Sequence, residues 1–192
     1  MFQIRMHGRG GQGVVSGAEM LSVAAFIEGR HAQAFPSFGS ERMGAPVMAF
    51  CRIDDKEIRL REPVIAPDAL IIQDPTLLHQ VDLFKGLHAE GYIVINSMRS
   101  FEELGLGEFA CGFQPLRLRT IPASEIALKH VGRVLPNAAL LGGFAALTGL
   151  IRLESIVAAI RQKFPAPIAE KNVAAATEAY GIGAVAREAC VA

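Results

Sequence analysis

FQIRMHGRGGQGVVSGAEMLSVAAFIEG, residues 2–29, decides how the chain opens. FQIRM, residues 2–6, reads as a short strand. Four glycines within residues 8–13 cannot extend it, because a chain so free in φ and ψ turns tightly. Beyond them Val14, Ala18, Leu21 and Ala25 recur at helical spacing, and Gly29 supplies the stop. Residues 31–35 predict a second strand. The opening is therefore strand, glycine loop, helix, strand.

Residues 36–46 are a loop by composition. VMAFCRI and KEIRLRE predict a hairpin with Asp54-Asp55 at its tip. Residues 68–73 and 92–96 are apolar runs of buried-strand length. Between them, residues 75–85 predict a helix capped by Asp74, with Pro75 at its first position and Gly86 at its end. Residues 116–121 predict another strand and 122–130 another helix. The last third is helical. Pro136-Asn137 opens an apolar helix; Leu153, Ile156, Val157, Ile160 and Phe164 mark an amphipathic one; Pro167 starts a third, with Gly181 after it. This alternation predicts an α/β fold, doubly wound around a mostly parallel, Rossmann-like sheet, with a helical C-terminal third and one domain over residues 1–192.

Composition narrows the function. Of 192 residues 51% are hydrophobic, and 19 basic residues balance 19 acidic ones. Such a chain has enough apolar side chain to fold, and no basic surface for nucleic acid. Neutral and greasy, it reads as a subunit with a buried interface. Cys51, Cys111 and Cys190 are too scattered for a disulfide framework or a zinc or iron–sulfur motif, and the cytoplasm is the expected compartment. The uncharged run at residues 134–151 is long enough for a membrane span, but Pro136, Asn137, Gly142, Gly143 and Gly149 mark it as a buried helix.

The loop Gly8-Arg9-Gly10-Gly11-Gln12-Gly13 fits GxGxxG between a strand and a helix, where bare amides and a helix N-terminus favour a phosphate. The acid that would hold a ribose is missing, since residues 31–35 end apolar and Pro36 follows. No Lys-Ser/Thr pair follows the glycines, so this is not a P-loop either. The glycines then serve close packing, a partner subunit or its cofactor. Arg9 and Gln12 reach an anion or a carbonyl, or cap the loop. Residues 35–46 place Phe35 and Phe38 beside Glu41-Arg42, in the manner of an interface hot spot or of a loop folded over its own core. His7 reads as a strand-end histidine satisfied by backbone.

GRGGQGVVSGAEMLSVAA followed by FPSFGSERMGAPVMAFCRID resembles the γ subunit of the 2-oxoacid:ferredoxin oxidoreductases, which include pyruvate:ferredoxin oxidoreductase and phenylglyoxylate dehydrogenase. IPASEIALKHVGRVLPNAALLGG, LESIVAAIRQKF and Lys171-Asn172 extend the likeness to residue 180. The resemblance implies a scaffold subunit of a complex that decarboxylates a 2-oxoacid oxidatively to an acyl-CoA. It implies α and β partners holding thiamine diphosphate and magnesium, and a ferredoxin-like δ partner holding [4Fe–4S] clusters. FAD or NAD would sit on a further subunit, and this chain would hold no cofactor alone but would line the coenzyme A side. Residues 8–13 then face a partner or a phosphate, Glu41, Arg42 and Gly44 form an interface loop, and Asn137 caps its helix and bonds across the interface. Met43 departs from the basic residue usual after Glu-Arg, replacing a cation by a flexible apolar chain. Two other classes stay open: a stand-alone dinucleotide-binding oxidoreductase, and an assembly module touching no ligand.

Arg42→Ala is expected to reduce complex assembly or coenzyme A turnover. Native mass spectrometry and steady-state kinetics check this, and normal values in both refute the loop assignment.

Overall fold

A computed structural model describes residues 1–37 and 43–189, with side chains through 184. The chain runs β1 (Phe2–Arg9), α1 (Val14–Ile27), β2 (His31–Pro36), β3 (Pro46–Asp54), β4 (Ala69–Ile72), β5 (Tyr92–Asn96), the single turn α2 (Gly107–Ala110), β6 (Leu118–Ile121), then α3 (Ala123–Val131), α4 (Asn137–Thr148), α5 (Leu153–Lys163) and α6 (Ala166–Ala189). The sheet order is β2-β3-β1-β4-β5-β6. β1, β4, β5 and β6 pair in parallel, and β3 runs antiparallel to both of its neighbours. The expected α/β architecture with a helical C-terminal part is what forms.

Two cores follow from the strand pleat. Ile4, Met6, Ile71 and Val94 point to one face, where α1 and α4 cover them. Ile72, Ile93, Ile95 and Leu118 point to the other, under Leu77, Leu83 and Leu104 from the connecting segments.

The predicted hairpin does not form. β3 lies between β2 and β1, so both of its edges are already bonded and residues 56–62 have nothing to pair with. They run irregularly instead, and the buried Arg52 donates to the carbonyls of Leu60 and Glu62. Asp54 still turns the chain, accepting from the amides of Asp55 and Lys56. The helix expected over residues 75–85 shrinks to a 3₁₀ turn, Pro75–His79. The carbonyls of Leu83 and Lys85 go to the Arg5 guanidinium at 2.8 and 2.7 Å rather than to helix amides.

Gly181 does not end the last helix, because α6 continues through it. The glycines that matter there face α4. A Cβ on Gly142 would overlap the Ala176 carbonyl, and one on Gly183 would come within 2.7 Å of Ala146 Cβ. Nearly all of α4 is buried, which accounts for the uncharged run as interior helix. No described helix is long and apolar enough to cross a membrane.

Gly142→Ala is therefore expected to cost about 1–3 kcal/mol by overpacking. Gly181→Ala, with open space around it, should gain about 0.5–1 kcal/mol from helix propensity alone. Thermal or denaturant unfolding of the two variants should show opposite signs.

Candidate functional site

The glycine loop leaves β1 and enters α1 through Gly13, whose φ of 74° only glycine adopts freely. The glycines admit close neighbours. A Cβ on Gly8 would meet Val14 at 2.6 Å, one on Gly11 would meet Met43 Cε at 2.9 Å, and one on Gly13 would meet Asn137 Nδ2 at 2.7 Å. Residues 43–45 lie along the loop as a strap: the Gly10 amide donates to the Ala45 carbonyl at 2.9 Å and the Gly44 amide to the Gly10 carbonyl at 3.2 Å.

Arg9 does not project into solvent. Its Nε donates to Asp74 at 3.1 Å, its Nη1 to the Gly44 carbonyl at 3.0 Å, and its Nη2 to Thr76 Oγ1 at 2.7 Å and Gln80 Oε1 at 3.0 Å. Gln12 folds back, accepting from the Arg9 amide at 2.8 Å and donating to Asp74 at 2.8 Å. Both side chains thus bond within the chain. Burial pushes the Asp74 carboxyl up, but bonds from Thr76 and Gln12 and the Arg9 charge hold it below the usual carboxylate range.

α1 has no side-chain cap. Among the described residues, the amides of Gly11, Gly13, Val14, Val15 and Ser16 have no protein acceptor. Asn137 opens α4, accepts from the Ala138 amide at 2.9 Å and donates to the Gly13 carbonyl at 3.4 Å. The expected cap does not form: Pro136 holds the cap position, α4 has no side-chain cap bond, and Asn137 is already the first helical residue, so its Oδ1 meets only the next amide while its Nδ2 ties α4 to the glycine corner. Gly11, Gly13, Ser16 and Asn137 line one cavity of about 460 Å³, with Arg133 and Lys171 also in its wall. No ion pair joins either cation to a carboxylate of the described residues. Val131, Leu135, Phe164 and Ile168 give it apolar walls. A second cavity of about 290 Å³ lies across the loop, against Val15 and Val47.

Phe35 packs on Phe50 at 5.1 Å between ring centres, with the Arg52 guanidinium over it at 5.2 Å, so this aromatic belongs to the chain's own core. Phe38, Glu41 and Arg42 lie outside the described residues. Gly44 lies in the strap along the glycine loop. A standard dinucleotide site is disfavoured by topology. β3 separates β2 from β1 and sets the end of β2 about 10 Å from the loop's own strand, two strand spacings away. Asp74, Arg133 and Lys171 went unassigned in the sequence reading. Asp74 signalled only a helix cap, and Arg133 and Lys171 entered only as parts of the stretches that carry the family resemblance. Among the described residues, no group of three His, Cys, Asp or Glu side chains is arranged to hold a metal ion.

The family model described as pyruvate ferredoxin/flavodoxin oxidoreductase matches residues 3–182. The common gamma subunit of the pyruvate/ketoisovalerate oxidoreductases of Pyrococcus furiosus is 46% identical over 180 residues, which cover 94% of this chain and 96% of that one. The pyruvate synthase subunit PorC of Methanosarcina barkeri is 50% identical over 161 residues, or 84% of this chain and 85% of its own. The crystal structure of the pyruvate oxidoreductase subunit PORC from Thermotoga maritima superposes with a TM-score of 0.79 at 35% identity, covering 94% of this chain and 95% of that chain.

Under the loop, His7 is buried and satisfied by a side chain rather than by backbone: its Nε2 accepts from Arg5 Nε at 3.0 Å. Burial first, and the Arg5 charge second, push its pKa down to about 3. The native state holds His7 neutral while the unfolded chain takes up a proton below about pH 6.5. Stability from this residue is full above that pH and is lost as pH falls toward 3, by on the order of 4 kcal/mol. His7→Gln keeps an acceptor for Arg5 and should flatten that part of the acid limb in denaturant titrations between pH 7 and 4. An unchanged slope would refute the neutral assignment.

Proposed function

The chain belongs to the pyruvate ferredoxin/flavodoxin oxidoreductase family, and on that premise we propose that its glycine corner and the adjoining cavity hold the anionic part of coenzyme A. It is a gamma subunit of a multisubunit 2-oxoacid:ferredoxin oxidoreductase. The complex decarboxylates a 2-oxoacid oxidatively, and coenzyme A supplies the thiol that accepts the acyl group. Thiamine diphosphate, magnesium and iron–sulfur clusters belong in this reading to the α, β and δ partners, and the cytoplasm is the compartment.

One observation carries the coenzyme A assignment. Two cations without a carboxylate partner among the described residues, Arg133 and Lys171, share a cavity with the bare glycine loop and the uncapped start of α1. Unbonded amides at a helix N-terminus attract a phosphate oxygen through both donors and dipole. Lysine and arginine add full charge at the same mouth. The loop must stay glycine for this, since a side chain on Gly11 or Gly13 would collide with the strap or with α4. The apolar wall at Leu135, Phe164 and Ile168 suits the uncharged remainder of such a ligand. Around the opening Met43, Val134 and Ile168 are exposed, a rim suited to a covering partner subunit.

The test is the double variant Arg133→Ala/Lys171→Ala in the assembled complex. Losing two charge-assisted contacts is expected to raise KM for coenzyme A by about tenfold to a hundredfold. KM for the 2-oxoacid should not move. An unchanged KM for coenzyme A in a normally assembled complex would leave the assembly-module reading standing instead.

A further inference from the structure

We propose that Asp74 is a positioning residue for coenzyme A: it touches no ligand, and it sets the shape of the glycine loop that does. The inference rests on the coenzyme A reading above. Asp74 stands just past the end of β4, beside the β1 end, with its side chain 12% exposed. Its Oδ2 accepts from Arg9 Nε at 3.1 Å and Gln12 Nε2 at 2.8 Å. Its Oδ1 accepts from the Thr76 amide at 3.0 Å and Thr76 Oγ1 at 2.6 Å. Each oxygen thus takes two donors. A carboxylate so saturated has no lone pair in reach of a substrate proton, which excludes a general-base role.

What it does instead is close a ring. Gln12 bonds Asp74 with one end of its amide and the Arg9 backbone with the other, while the Arg9 side chain returns to the same carboxylate. The two residues flanking Gly10-Gly11 are thereby fixed to one point. Arg9 also holds Gly44 of the strap and Gln80, just past the 3₁₀ turn, so its guanidinium ties the loop to two further stretches of chain, residues 43–45 and 74–80. With the loop ends fixed, the unbonded amides of Gly11 and Gly13 keep one arrangement. A ligand then loses less free energy in ordering its site. Free of this ring, a loop of four glycines would sample many shapes.

The experiment uses the intact complex with two variants. Asp74→Asn keeps the shape but turns one acceptor into a donor facing donors. Gln12→Glu sets a second carboxylate against Asp74 and leaves the Thr76 cap in place. Each is expected to raise KM for coenzyme A about tenfold, with KM for the 2-oxoacid unmoved and kcat changed less than twofold. If Asp74→Asn fails to assemble, Gln12→Glu decides. Wild-type KM for coenzyme A in these variants, alongside a raised KM in Arg133→Ala/Lys171→Ala, overturns the role of Asp74 and spares the site. Wild-type KM in all three overturns the site itself. A fall in kcat with both KM values unchanged marks a structural role only and also overturns the proposal.

Discussion

The Arg9–Asp74 ion pair, bridged by Gln12, is the constraint on which the functional corner depends. A loop with four glycines in six residues has little shape of its own. Here its shape is imposed from outside, by a carboxylate standing just past the neighbouring strand. The pair is only partly exposed, so solvent screens it less than a surface bridge, and each partner's remaining capacity is filled by neutral groups. Removing one member would leave the other's polar groups unpartnered, which is where the energetic weight of such networks lies.

Strand order sets the corner apart from a standard dinucleotide site. β3 is inserted antiparallel between β1 and β2. The glycine loop keeps its usual place at the carboxyl end of β1, yet the second strand of the motif is displaced to the sheet edge. Space beside the loop is instead bounded by the α3–α4 connection, the start of α4 and the start of α6, which bring Arg133, Asn137 and Lys171 to it. The close approach of α4 and α6 makes this possible. It depends on Gly142 and Gly183, which face the partner helix and carry no side chain.

Much of this was legible in the sequence. Hydrophobic periodicity and glycine punctuation located β1, α1, β4, β5 and the last four helices, because those elements follow from local spacing and capping. The glycine loop was recognisable as a tight strand-to-helix turn for the same reason. The misreadings share one cause. KEIRLRE has strand-like alternation, but pairing needs a free edge, and β3 has none. Residues 80–85 could be helical, but Arg5, seventy-eight residues from Leu83, takes their carbonyls. Gly181 looked like a helix end, and only the α4 contact shows which glycines of α6 face a partner.

By itself the sequence determined an α/β subunit with a glycine corner after its first strand, and that corner's family resemblance, since these rest on residues adjacent in the chain. Tertiary structure alone decided that Arg9 is held inward by Asp74, that Asn137 reaches Gly13, and that Arg133 and Lys171 meet at one cavity. Those partners lie between 38 and 124 residues apart, or share only a wall, and no periodicity encodes a contact that arises when separate elements pack.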